Sequence, residues 1–128
     1  MNFDRKFLVC ALLYAIAGMS LGIYMAASEN HGELVAHAHI LLIGFVVSFI
    51  YGIIHKLWLA QPNAKVANLQ FYIHQAAALL LSIGLTLLYG GMVSADKLAP
   101  ALTGGSLAVL IAALLMLYMV LTTRTARS

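Results

Sequence analysis

At 128 residues, with 63% hydrophobic and 9% charged, the chain has room for one domain and too little polar surface to face water, since soluble domains carry about 25% charged residues. Lipid is the solvent such a composition requires. One cysteine, Cys10, excludes an internal disulfide and a cysteine-cluster metal site. The net charge of +3 gathers at one membrane face, which points to anionic lipid and not to nucleic acid.

In chain order, the first apolar stretch runs over residues 7–27, behind Arg5 and Lys6. About 20 residues rising 1.5 Å each cross the roughly 30 Å of hydrocarbon and exceed the 7–15 residues of a signal core. No small-x-small cleavage pattern follows, so the sequence predicts a retained transmembrane helix. Gly18-x-x-x-Gly22 within it lets a neighbouring helix approach closely, and Cys10 reads as a small packing residue. Ser28 to Gly32 then form a turn. A second stretch over 33–59 carries His37, His39 and His55. Gln61-Pro62-Asn63 breaks the chain before a third stretch, 66–93, which carries His74. Ser94 to Lys97 separate this from a fourth, 98–122, with Pro100 in its first turn, where proline is tolerated. None of the stretches alternates as a barrel strand does, and helices satisfy their own backbone in lipid. The fold class predicted is all-α: residues 1–128 as a single domain of four transmembrane helices, antiparallel because the loops are short.

Arg5, Lys6, Lys56, Lys65, Arg124 and Arg127 all fall on the side holding the termini and middle loop, against Lys97 on the other side with Glu29, Glu33 and Asp96. Basic residues mark the cytoplasmic side, so both termini are expected in the cytoplasm of a bacterial inner membrane. Tyr24 and Tyr89 are then expected at the outer aromatic belt, and Trp58, Phe71 and Tyr118 at the inner one.

Ionisable residues within membrane segments are costly, so the histidines are the functional candidates. At about 100° per residue, His37 and His39 point about 200° apart and cannot close on one ion from one straight helix. Gly44, Ser48, Tyr51 and His55 share the His37 direction, a small and polar stripe suited to a bundle interior or a cofactor groove. Below His39 lie Ile43, Val46, Ile50, Ile53 and Leu57. One imidazole above an aliphatic wall suits a porphyrin: a nitrogen for iron and an apolar surface for the ring. It also suits a histidine bonded to a neighbouring helix. Glu33, one turn before His37, could orient that ring or simply sit at a helix N-terminus. His74 and His55 are weaker metal candidates, and His74 is expected at a different depth, bonded to a backbone carbonyl or approaching His55. Zinc or copper needs three or four convergent ligands, whereas haem needs one or two.

The stretch Val35-Ala36-His37-Ala38-His39-Ile40-Leu41-Leu42-Ile43-Gly44 resembles the Ala-His-x-His helix in the catalytic subunit of the haem-copper oxidase and nitric oxide reductase family. In that family the two histidines serve different haems on opposite sides of the helix. The resemblance implies haem b at His37, His39 or both, with Gly44 and Ser48 leaving room for the ring, and an electron-transfer role served by a quinol or a c-type cytochrome. The family's subunit has three arcs of four helices, which a four-helix chain would rebuild as a homotrimer. The adjacent histidine pair of the family's copper site is missing, so oxygen reduction is not implied and no catalytic residue is assigned. The reading left beside it is non-catalytic handling or sensing of haem, copper or zinc.

Overall fold

Four helices long and apolar enough to cross a membrane make up the chain: α1 (Phe3–Ser28), α2 (Leu34–Leu57), α3 (Ala64–Tyr89) and α4 (Ala95–Thr122). They are seen in a computed structural model that describes residues 1–125, all-helical and without strands among those residues. Arg127, counted above in the basic collar, lies outside the described residues.

The helix ends follow local chemistry more closely than hydropathy. At the start of α3, the Asn63 side chain accepts hydrogen bonds from the Lys65 and Val66 backbone N–H groups at 3.0 and 3.3 Å, so the helix begins two residues before the apolar run. It ends at Tyr89, short of Val93, because Gly91 takes a left-handed φ of 72° that few side chains tolerate. The start of α4 at Ala95 moves Pro100 from the first turn to the second, on an exposed face.

The largest departure lies inside α2. Residues Ile40–Val47 are wound as a π-helix, with α-helical backbone on either side. Its i→i+5 turns rotate less per residue than α-turns, so a 100° wheel drawn through α2 accumulates an error there.

Glycines set how closely α1 and α2 approach. Gly18 lies under Ile40 and Leu41, Gly22 under His37, Gly44 against the Tyr14 ring, and Gly52 against the Asp4 carbonyl and Phe7. The small-xxx-small pattern of α1 is thus used within the chain. In the middle, α3 contacts α1 and α2 and packs along α4. At the end holding the termini all four helices converge on Phe7, Tyr51, Ala67, Phe71, Met116 and Met119, with Phe7 edge-on to Phe71 at 4.8 Å. Phe71 is therefore a core residue, whereas the sequence places it in the aromatic belt. Its neighbour Tyr72 is exposed instead, as are Trp58 and Tyr118. Leu13, Ile16, Ile23, Leu42, Leu79, Leu114 and Leu121 all point outward, an apolar exterior suited to lipid.

Candidate functional site

Near the start of α2, His37 leans into the notch left by Gly18 and Gly22. Its Nδ1 lies 2.8 Å from the Gly18 carbonyl oxygen. A carbonyl only accepts, so Nδ1 carries a proton and donates it, which in the neutral tautomers selects the one with its lone pair on Nε2. His39 reaches the same state differently: its Nδ1–H donates to the Val35 carbonyl one turn back on its own helix, also at 2.8 Å. Neither Nε2 has a hydrogen-bond partner among the described residues, and neither is sealed from the surface. A ring held by Nδ1 with Nε2 bare is the state in which histidine binds metal.

The two rings serve different sides. His37 faces α1, whereas His39 lines a groove between α2, α3 and α4 with Ile43, Leu81, Leu85, Leu102, Ser106 and Val109. Apart from His39 and Ser106 the lining is aliphatic. Its volume is about 220 Å³, below the roughly 300–1,000 Å³ of small-molecule sites, so one chain can cover only one face of a flat ligand. Further along α2, Val46, Ile50, Ile53 and Leu57 are exposed apolar residues that do not line this groove, and Ile53 lies instead beside Leu8 of α1.

Gly44 and Ser48 face inward and are occupied by packing. A Cβ on Gly44 would stand 2.5 Å from the Tyr14 ring. Ser48 is fully buried, and its Oγ meets His74 Nε2 at 3.2 Å and accepts from Gln75 Nε2 at 3.3 Å. Neither opens onto the groove below His39.

His74 is fully enclosed. Its Nε2 also lies 3.2 Å from the Ile43 carbonyl, inside the π-wound segment, where the winding disturbs the regular i→i+4 partners. Nε2 therefore carries the ring's proton, and Nδ1 is buried without a partner. His74 and His55 do not meet: Tyr51 stands edge-on to His74 at 5.0 Å, and His55 stacks on Phe3 and Phe7 at 5.1 and 5.6 Å. Glu33 does not reach His37, whose Nδ1 is bonded to Gly18. It turns toward Gly90, and loss of hydration shifts its carboxyl upward from its ordinary value. Among the described residues, no three His, Cys, Asp or Glu side chains converge as a metal site would need.

Three polar residues of the interior escape a histidine-centred reading of the sequence: Tyr14, Gln70 and Gln75. Tyr14 O–H donates to the Gln75 carbonyl at 3.4 Å, and Gln70 Nε2 donates to the Ala112 carbonyl at 3.2 Å, tying α1 to α3 and α3 to α4. The signal for them was a polar side chain within an apolar run. Comparison with protein-family models, curated proteins and solved structures gave no match to this chain.

Proposed function

We propose that the chain is a haem b-binding membrane cytochrome whose iron ligand is His39. One observation carries this reading: the Val35 carbonyl holds the proton on His39 Nδ1 at 2.8 Å, leaving the Nε2 lone pair over an aliphatic groove. These residues fit the group, since a porphyrin needs a nitrogen for iron and apolar surface for the ring. Haem bound there would supply a one-electron couple. The protein's part is to hold the imidazole in one tautomer and to keep one face of the ring dry. Because the groove covers only one face, the second wall comes from another copy, and His37 of that copy, held by Gly18, supplies the second nitrogen. A cyclic homotrimer closes three such interfaces. The electron partner is a quinol or a c-type cytochrome.

The test is an optical spectrum of the purified protein, oxidised and reduced, with haem and subunit mass counted in detergent. The expected result is a six-coordinate haem b, one per chain, in a trimer. A colourless preparation carrying copper or zinc would overturn it in favour of metal handling.

In the same reading neighbouring helices run antiparallel and both termini face the cytoplasm of a bacterial plasma membrane. A cysteine introduced at His31 should react with an impermeant reagent added outside intact cells, and one at Gln61 should not. The reverse pattern refutes the orientation.

A further inference from the structure

At the end of the bundle that holds the termini, α1 and α2 leave an open slot between them. It is lined by Leu8, Phe49, Gly52 and Ile53, has Asp4, Arg5 and Lys56 at its mouth, and measures about 340 Å³. The slot exists because Gly52 carries no side chain: a Cβ there would lie 3.2 Å from both the Asp4 carbonyl and Phe7. The backbones therefore meet at Gly52 while the longer side chains on either side stand apart.

The residues fall in a fixed order. On α2, Lys56, Ile53 and Phe49 lie three and four residues apart and share one face. On α1, Arg5 and Leu8 do the same. Charge thus sits at the helix ends and apolar surface runs inward from it. From Lys56 to Phe49 is seven residues, about 10 Å of helix at 1.5 Å each, within the roughly 15 Å of one leaflet's hydrocarbon. Leu8, Phe49 and Ile53 remain 36–40% exposed, so none of the described residues fills the slot. Two cations against the single Asp4 leave one net positive charge at the mouth.

We propose that this slot binds one anionic phospholipid, with its phosphate between Arg5 and Lys56 and an acyl chain along Leu8, Phe49 and Ile53. The proposal is independent of haem binding at the other end of α2. A single phosphate matches the net charge, and the apolar run begins where a headgroup would end. Asp4 borders the same mouth and disfavours a second negative charge, so a monoanionic headgroup fits better than a polyphosphorylated one. Ordinary juxtamembrane cations attract anionic lipid diffusely. Here two of them share a mouth with a shaped apolar slot.

The test is native mass spectrometry of the full chain released from bilayers of equal phosphatidylglycerol and phosphatidylcholine. The wild type should retain one phosphatidylglycerol. At roughly fivefold per basic residue near a membrane surface, Arg5→Gln with Lys56→Gln should weaken that retention about 25-fold. Lys65→Gln with Arg124→Gln removes the same charge from the same end away from the slot and should change it little. Arg5→Lys with Lys56→Arg should keep it, and Leu8→Trp, which fills the slot without altering charge, should lower it. Inorganic phosphate should not compete, since it lacks a chain. Equal losses from the two charge-removing pairs, or displacement by inorganic phosphate, would overturn the proposal.

Discussion

Replacing His39 by alanine is expected to abolish the six-coordinate haem spectrum of the purified protein, while His31→Ala, in the exposed loop before α2, leaves it unchanged. Among the described residues lining the groove His39 alone offers a lone-pair nitrogen, so the substitution leaves the iron with His37 of the neighbouring copy and an aliphatic surface. Its structural cost is small, because the His39 hydrogen bond stays within its own helix. His37→Ala differs. It frees the Gly18 carbonyl and empties the notch at Gly22, so some loss of α1–α2 packing accompanies loss of the second iron ligand. Loss of the six-coordinate spectrum in both His37→Ala and His39→Ala, with reduced haem content in His39→Ala, is the expected pair of results. Equal haem content in the wild type and His39→Ala would sink the proposal.

A comparably large effect, on stability, is expected from Gly44→Leu. The new Cβ would stand 2.5 Å from two atoms of the Tyr14 ring, which is itself held by a hydrogen bond to α3, so neither side can yield cheaply. Overpacking of a filled site costs about 1–3 kcal/mol and occasionally more, and here the strain falls on α2 within its π-wound segment. Thermal or denaturant unfolding in detergent should show the loss. Gly104→Leu, on α4 with open space around its Cβ position, should change stability far less. Comparable destabilisation by both would mean that Tyr14 does not pin α2.

The four membrane helices could be read from the sequence because hydrophobic length is a property of each segment alone. What depended on two segments meeting could not. Tyr14 filling the space above Gly44, and Gln75 reaching Ser48, join residues 30 and 27 positions apart. A wheel drawn on α2 grouped Gly44, Ser48, Tyr51 and His55 on one side, and all four are indeed buried, but nothing in that wheel said that protein would occupy the space beside them. The opposed directions of His37 and His39 were legible because both precede the π-wound segment. The level of His74 was less so: its contact with the Ile43 carbonyl brings it within one to two turns of His39, closer than counting from the helix ends implies.

That segment also alters how α2 can change length. In an ordinary helix, deleting one residue turns everything beyond it by about 100° and carries buried groups out to lipid. A π-wound stretch already holds one residue more than α-winding needs for the same turns. Losing a residue between Ile40 and Val47 would let α2 rewind as a plain α-helix, with the histidine-bearing end and the Tyr51–His55 end still facing their present neighbours. Those two halves are therefore joined by a spare residue, and a one-residue deletion between them need not break the fold.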